Sequence, residues 1–358
     1  MRYLPLAGCA LLVFGCGSGD TVASRQAEVA SEAGQTSMVA QLIEQEPVST
    51  ETSSLSLRVA SFNIQFLGFF KHRDNAAVAA LLERFDLIFI QELTAPPYPS
   101  TFPDGSSFNA DEEAAAFFGE MTARGFEYVL SEEDTGTGPN NHNNGSATEW
   151  FAAFYRPEHV EPAPDLYTGF IAEDRTDHAH YERVPYAFGF RGCMDAPSHS
   201  CSEDLVFISV HLKPDSDGAS TARRAEEIGE ISSWVNAQSG AERDYVVLGD
   251  MNLEDCEELS SVIPDGFVSL NGECLPTNTN INGPKPYDHV FLRPAETGDE
   301  IDMGSFEVVD LIAQMEVYWN PDDGPYPGDP YIHNAFRQRY SDHHPVSFTL
   351  RVDGVDDD

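Results

Sequence analysis

Short apolar runs in this sequence repeatedly stop at a polar residue that could take part in chemistry. They end at Asn63, Glu92, His211, Asp250 with Asn252, and Asp342 with His343. A buried strand rarely carries a carboxylate or an imidazole at its end unless that group is paired or binds a ligand. Carboxylates with amides suit a hard divalent cation, and histidines near carboxylates suit proton transfer to and from water. We therefore expect these side chains to meet in one hydrolytic site.

The sharpest of these runs is Tyr245-Val-Val-Leu-Gly-Asp-Met-Asn252, which turns at Gly249. A β-branched apolar run bounded by a turn residue predicts a fully buried strand. Residues two apart on an extended chain point the same way, so Asp250 and Asn252 would converge on one water, metal-bound oxygen or phosphate. A turn or a helix cap would use the same residue types. The other polar strand ends favour the functional alternative.

The sequence lacks two common motifs of other phosphate and ester chemistries. It has no Gly-x-x-x-x-Gly-Lys phosphate loop and no Gly-x-Ser-x-Gly nucleophile elbow. Their absence argues against nucleotide hydrolysis and against catalysis by a nucleophilic serine. Attack of an activated water on phosphorus is the reaction that the polar strand ends favour.

Hydrophobic periodicity indicates the elements that would position these residues. It predicts helices over 75–85, 110–124 and 220–236. It predicts strands over 57–63, 86–92, 126–130, 148–155, 182–190, 204–211, 245–250, 287–292, 306–309 and 346–352. Strands and helices mix without strict alternation, and no repeat or composition break divides this region. We therefore expect one layered α+β domain over 56–353.

The N-terminus is typical of an exported bacterial protein. Arg2 precedes an apolar stretch over 4–14 that is too short to span a bilayer, and Cys16 follows as in a lipoprotein signal. A plain secretory signal over 1–16 is the alternative. Either signal would take the mature protein out of the cytoplasm, to the outer membrane, the periplasm or the medium. If Cys16 carries a lipid, we expect this anchor to be the protein's only contact with a membrane.

Composition predicts flexible ends around the domain. Residues 17–55 are rich in Ser, Thr, Gln, Glu and Ala and contain no aromatic residue, so we expect a disordered tether. Residues 354–358 form an acidic tail. The chain has 60 acidic and 20 basic residues, with a net charge of −40. That balance argues against broad electrostatic capture of nucleic acid, which relies on Lys and Arg.

Cysteine usage predicts two disulfides. Four cysteines in an exported chain allow three pairings, and no Cys-x-x-Cys spacing supports a metal site. We expect the sequential pairs Cys193–Cys201 and Cys256–Cys274, which close short loops.

The polar strand ends, taken with their neighbours, resemble the endonuclease/exonuclease/phosphatase superfamily over 57–352. The motifs are Ser-Phe-Asn-Ile64, Ile-Gln-Glu92, Gly-Asp-Met-Asn252, Tyr-Asp-His289 and Ser-Asp-His343. The resemblance implies a four-layer α/β/β/α sandwich, with two packed, mostly antiparallel sheets and helices outside. It also implies hydrolysis of phosphate esters with a divalent cation, Mg²⁺ or Mn²⁺, and leaves room for a structural Ca²⁺.

The resemblance implies a role for each motif residue. Glu92 would be the main metal ligand, with Asn63 beside it. Asp250 would orient or deprotonate the attacking water, and Asn252 would hold a phosphate oxygen.

Further residues resemble the pancreatic-type deoxyribonuclease branch. A Glu149–His211 pair would face an Asp342–His343 pair across the scissile phosphate. In the second pair the acid would fix the imidazole. Which histidine is the base stays open.

Four other positions refine the likeness to this branch. Arg183 resembles a phosphate-contacting arginine, and Asp288 matches the acid before a late strand. Thr94 and Ala147 stand where the branch has an arginine and a tyrosine that read the DNA groove. A Pro- and Phe-rich loop over 94–109 lies there instead, and could meet single strands by stacking or an apolar substrate.

The sequence thus predicts an exported, monomeric, metal-dependent phosphodiesterase whose first candidate substrate is DNA. The absent groove readers favour an alternative within the superfamily, a phosphatase or sphingomyelinase-like enzyme acting on lipid or sugar phosphates. A catalytically dead surface-binding module is the third alternative. The complete motif set argues against it.

Overall fold

The computed structural model describes residues 54–136, 142, 148–172, 179–194, 200–238, 240 and 242–353. The predicted signal with Cys16, nearly all of the predicted tether, Ala147 and the acidic tail lie outside the described residues. Within the described part, no helix combines the length and the apolar character needed to cross a membrane.

The described residues form two large sheets, a two-stranded hairpin and a set of helices. The strands are β1 (Leu55–Leu67), β2 (Leu87–Leu93), β3 (Ser100–Thr101), β4 (Ser107–Phe108), β5 (Glu127–Leu130), β6 (Trp150–Tyr155), β7 (Val160–Pro162), β8 (Gly169–Phe170), β9 (Tyr186–Cys193), β10 (Cys201–His211), β11 (Tyr245–Asp250), β12 (Val268–Ser269), β13 (Asp288–Leu292), β14 (Glu307–Val308) and β15 (Val346–Val352). The helices are α1 (Asn75–Leu82), α2 (Glu112–Ala123), α3 (Gly218–Ala237), α4 (Cys256–Val262), α5 (Leu311–Met315) and α6 (His333–Arg339). Single 3-10 turns follow α5 at Glu316–Tyr318 and Pro321–Asp323.

Each large sheet has one central parallel pair. The first sheet has the order β14-β15-β1-β2-β6-β5, and the second has the order β12-β13-β11-β10-β9-β7, with β8 also pairing with β9. β1 runs parallel to β2, and β10 runs parallel to β11. The pairs that flank them are antiparallel. Because parallel neighbours end at the same edge, each sheet brings two strand ends together at its centre.

The two sheets pack face to face and carry helices on their outer faces. Phe89 of β2 meets Phe207 and Phe188 of the second sheet, with ring centroids 5.0 and 5.6 Å apart. Helices α1 and α2 share a buried cluster with the outer face of the first sheet, and α3 and α4 pack against the second sheet. This confirms the predicted four-layer α/β/β/α sandwich.

Aspartate caps start most of the helices. The side chains of Asp74, Asp111, Asp217, Asp255 and Asp310 accept backbone N–H bonds at the starts of α1 to α5. Each such cap is worth about 1 kcal/mol. Part of the acidic composition therefore stabilises helix ends.

The main predicted strands and helices are present, and the differences concern short elements. The predicted helix over 75–85 ends at Leu82, and the loop over 94–109 contains the β3–β4 hairpin. Helices α4, α5 and α6 have 7, 5 and 7 residues. They were missed because one or two turns are too short to show helical periodicity. Both predicted disulfides, Cys193–Cys201 and Cys256–Cys274, are formed.

A buried histidine makes the stability of this fold depend on pH. His289 in β13 is 0% exposed, and its Nδ1 lies 2.9 Å from Ser269 Oγ. Burial lowers the pKa of His289 to about 4, from an ordinary value of 6.5. Below pH 6.5 the unfolded chain therefore binds a proton that the folded chain does not, and stability falls as the pH is lowered.

We predict that the free energy of unfolding falls by roughly 3 kcal/mol between about pH 7 and pH 4 because of His289. His289→Gln should flatten the pH dependence measured by urea unfolding, because glutamine does not titrate. His180→Gln is the control, since that side chain is 55% exposed. An unchanged pH dependence in His289→Gln would contradict the prediction.

Candidate active site

Asp250 is the centre of the site and ends the buried strand β11. In the second sheet it is in register with His211 of β10 on one side and Asp288 of β13 on the other. Gly249 precedes it with φ +142°, and a Cβ at this position would lie 2.1 Å from the Val210 carbonyl oxygen. Only glycine can bring the β11 backbone this close to the Val210 carbonyl. This backbone conformation sets the direction in which the Asp250 side chain points.

Two histidines face Asp250, and each is held by a second carboxylate. His211 Nδ1 lies 2.6 Å from Glu149 Oε1, and His343 Nδ1 lies 2.8 Å from Asp288 Oδ2. The Nε2 atoms of His211 and His343 each lie 3.5 Å from Asp250 Oδ2. Both imidazoles are therefore fixed at Nδ1 and direct Nε2 toward the same point.

Asn63 links the two sheets at this point. Its Nδ2 donates to Glu92 Oε1 of the first sheet at 3.0 Å and to Asp250 Oδ2 of the second sheet at 2.8 Å. Its Oδ1 accepts a bond from Gln65 N at 2.9 Å. Glu92 has φ +60°, and its Oε2 accepts from Phe66 N at 2.9 Å. Two carboxylates from different sheets thus share one amide.

Burial and charge shift the protonation of the carboxylates. Burial raises the pKa of Glu92 to about 7, although the charge of His211 opposes this. Burial also raises the pKa of Asp288, against the charge of His343. Burial would raise the pKa of Glu149, but His211 and Arg183 outweigh it and leave that pKa below its ordinary value. The charge of His211 thus offsets only part of the effect of burial on the pKa of Glu92.

The carboxylates raise the pKa of both histidines. Burial lowers the pKa of His343, but Asp288 and Asp250 outweigh it and hold the pKa well above its ordinary value. For His211, burial and the nearby Arg183 lower the pKa, but Glu149 and Asp250 outweigh them and leave the pKa above its ordinary value. The histidines thus offset part of the negative charge collected here.

The residues present fit a divalent cation. Glu92, His211 and Asp250 are buried and each offer one ligand atom, with these atoms all within 4.8 Å of one another. Burial raises the pKa of Glu92, as expected for a carboxylate removed from water without a full counter-charge. Carboxylate oxygens are the ligands that Mg²⁺ and Mn²⁺ prefer. Glu92 and Asp250 would hold such an ion, with His211 at its edge.

The family model described as the Endonuclease/Exonuclease/phosphatase family matches residues 60–343 of the chain. The chain belongs to this family. Members of the family are hydrolases that act on phosphate esters, and they generally depend on a divalent metal. The metal-compatible cluster and the paired histidines of this chain are consistent with that chemistry.

The chain is also similar to individual proteins of known description. A protein described as a deoxyribonuclease from Thioalkalivibrio sp. (strain K90mix) is 24% identical over 298 residues, which cover 81% of this chain and 70% of that protein. Among solved structures, humanized D. rerio TDP2 is 16% identical with a TM-score of 0.49, over 83% of this chain and 99% of that one. The mannosyl-6-phosphatase Bt3783 of Bacteroides thetaiotaomicron VPI-5482 is 15% identical with a TM-score of 0.47, over 82% and 99%.

The predicted pairing of Asp342 with His343 is wrong for this family member. Asp342 Oδ1 lies 4.0 Å from His343 Nε2, whereas Asp342 Oδ2 contacts Gln65 and lies 3.2 Å from Arg337 NH1. His343 forms a β-bridge, and adjacent side chains on extended backbone point in opposite directions. Asp288 takes the orienting position. The sequence contained it, in Tyr-Asp-His289, without showing which histidine it reaches.

The two predicted phosphate-binding residues lie near the centre with partners of their own. Asn252 N donates to Asp250 Oδ1 at 2.9 Å, and Asn252 Nδ2 donates to the Leu212 carbonyl at 3.1 Å. A carboxamide nitrogen has two N–H groups, so one donor remains for a phosphate oxygen. Arg183 is buried, with its Nε 2.6 Å from Glu149 Oε1. Phosphate contact by Asn252 or Arg183 stays a prediction.

A buried polar link that was not predicted from the sequence lies beneath the site. Gln91 Nε2 donates to Ser209 Oγ of the second sheet at 3.0 Å, and Gln91 Oε1 accepts from Ser61 Oγ at 3.3 Å. The glutamine stands in the Ile-Gln-Glu92 motif, which gave the only signal for it. This link fixes the spacing of the sheets next to Glu92.

We predict that Asp288→Asn lowers the rate of phosphodiester hydrolysis roughly a hundredfold or more, because His343 loses the carboxylate that orients it. Asp342→Asn should stay within about tenfold of wild type, since its carboxylate lies outside hydrogen-bond distance of the imidazole. Steady-state hydrolysis of bis(p-nitrophenyl) phosphate across a pH series measures both. Equal losses of hydrolysis rate in the two variants would instead support Asp342 as the partner of His343.

We also predict that Glu92→Gln weakens Mn²⁺ binding by roughly a hundredfold, because the ion loses its main anionic ligand. Isothermal titration calorimetry measures this without turnover. Glu316→Gln changes an exposed glutamate and serves as the control. Wild-type affinity in Glu92→Gln would place the ion elsewhere.

Proposed function

We propose that this protein is an exported, metal-dependent phosphodiesterase that cleaves DNA. One observation carries the proposal: the Nε2 atoms of His211 and His343 both lie 3.5 Å from the same oxygen of Asp250. Two imidazoles with fixed orientation and a shared centre can take a proton from one oxygen and give a proton to another. Hydrolysis of a phosphodiester requires both transfers.

The residues divide the reaction between them. A divalent cation bound at Glu92 would draw charge from the phosphate oxygens. Water attacks phosphorus as one imidazole Nε2 accepts its proton, and the P–O bond to the leaving nucleoside oxygen breaks as the other Nε2 donates a proton. Glu149 and Asp288 keep the two rings in position and stabilise their charged forms. Asn63 holds Asp250 in the centre while the protons move.

The choice of DNA rests on the relative described as a deoxyribonuclease, with which this chain shares 24% identity. The proposal of export rests on the signal-like N-terminus and on the two disulfides, which persist in oxidising compartments. Mass spectrometry of the mature protein tests the lipid on Cys16.

The substrate proposal can be tested with purified protein and five substrates in Mg²⁺ or Mn²⁺: plasmid DNA, single-stranded DNA, RNA, sphingomyelin and a phosphomonoester. We expect cleavage of DNA that stops when EDTA removes the metal. Turnover of only the lipid or the phosphomonoester would contradict the nuclease proposal and support a phosphatase or a sphingomyelinase-like enzyme. Absence of turnover with every substrate would favour a binding module.

We predict that His211→Ala and His343→Ala each lower DNA cleavage by about 10²- to 10⁴-fold, because each removes one proton-transfer group. Far-ultraviolet circular dichroism confirms that the variants are folded, and His180→Ala is the exposed control. Near-wild-type rates in either variant would remove that histidine from the mechanism.

A further inference from the structure

A cavity of about 600 Å³ lies beside the proposed catalytic centre. Its wall includes Thr94, two residues after Glu92, and Thr148, which directly precedes Glu149. The volume is within the range of about 300–1,000 Å³ that is usual for small-ligand sites. A group bound here would be a close neighbour of the scissile phosphate.

One side of this cavity carries an exposed aromatic ring. Phe69 is 62% exposed, and the rings of Phe66 and Phe70 brace it at centroid distances of 6.1 and 6.0 Å. Aromatic rings beside a strand path bind nucleobases by stacking, without regard to sequence. The braced ring of Phe69 thus has the form of a stacking platform.

The deeper aromatic residues close the cavity instead of forming an open cage. Phe102 and Trp150 are 8% and 3% exposed, and Phe102 is covered by His142 at a centroid distance of 3.5 Å. An ammonium headgroup would need several open ring faces around it. A single flat group lying on Phe69 fits the available surface better.

Charge distribution separates a place for a base from a place for phosphates. The cavity wall carries the carboxylates of Asp111 and Asp134, which pair with Lys71 and His142, so none of the lining residues offers an uncompensated positive charge to a phosphate. Asn109 and nearby serines add hydrogen-bonding groups suited to the edge of a base. On the side of the catalytic centre, Arg337 lies 3.2 Å from Asp342 and 6.0 Å from the Phe70 ring. A strand could therefore pass its phosphate near Arg337 and place its base on Phe69.

Thr94, on the cavity wall two residues after Glu92, is held by hydrogen bonds to the first sheet. The Thr94 backbone N–H and hydroxyl both donate to the Leu67 carbonyl, at 2.8 and 3.0 Å. These bonds hold Thr94 against β1. The wall next to the metal-compatible cluster is therefore open to a base.

We propose that this cavity binds one unpaired nucleobase next to the scissile phosphate, so that the enzyme acts on single-stranded DNA in preference to duplex DNA. The inference rests on the proposed nuclease function and names its substrate class. Arg337 contacts the neighbouring phosphate, and Phe69 stacks on the base.

Binding is measured with a single-stranded octamer that contains 2-aminopurine, in the His343→Ala background to prevent cleavage. Stacking on Phe69 should quench the fluorescence of the analogue. Phe69→Ala should abolish the quenching and weaken binding at least about fivefold, whereas Phe69→Trp should keep both. Tyr318→Ala is the matched control, since Tyr318 is 41% exposed and lies outside the cavity wall.

The second readout is the ratio of kcat/KM for single-stranded and duplex DNA, measured with catalytic residues intact. We expect Phe69→Ala to lower this ratio roughly fivefold or more, because only an unpaired base can stack on the ring. If wild type cleaves DNA but Phe69→Ala retains its quenching and its ratio, the inference fails while the proposed function stands. If no DNA is cleaved but quenching depends on Phe69, the base site stands without the nuclease. Competition by sphingomyelin vesicles for the octamer would overturn the inference in favour of a lipid headgroup.

Discussion

The site depends on burying carboxylates from two different sheets beside one another. Glu92 ends a strand of the first sheet, Asp250 ends a strand of the second, and the Asn63 amide donates to both. Uncompensated buried charges of like sign cost several kcal/mol. The two histidines compensate part of that cost, and a divalent cation would compensate more. The same buried negative charge that strains the free protein therefore favours binding of a cation, and the cation would in turn attract a phosphate.

The sandwich holds these charges because its rigid parts lie directly below them. Each sheet has a parallel strand pair at its centre, so Asn63 within β1, Glu92 near the end of β2, and the last residues of β10 and β11 come to one edge. Phe89 and Phe207 pack between the sheets, and the Gln91–Ser209 hydrogen bond joins them near Glu92. A densely packed interior cannot move apart to relieve repulsion at its rim. Packing thus fixes the distances on which proton transfer depends.

The sequence predicted the parts of this arrangement that are local. Apolar runs ending in polar residues located most of the strands and predicted that their polar side chains would meet in one site. The Glu149–His211 contact, which is not local, was implied only by the resemblance to the family. The partner of His343 was predicted wrongly, because the Asp288 contact joins positions 55 residues apart and depends on how β13 aligns with β11. The exposed ring of Phe69 gave no periodic signal. Its importance appears only once the neighbouring cavity is known.

The cation site between Glu92 and Asp250 can be located by diffraction from crystals of the full chain soaked in Mn²⁺, because anomalous scattering finds the ion without any assumption about activity. We expect a peak between the two sheets, about 2.1 Å from a carboxylate oxygen of Glu92, the distance expected for a hard cation of this size. Asp250 should lie on the same side of that peak. An ion bound only at other acidic groups, or a Glu92 carboxylate directed away from the space between the sheets, would contradict the account.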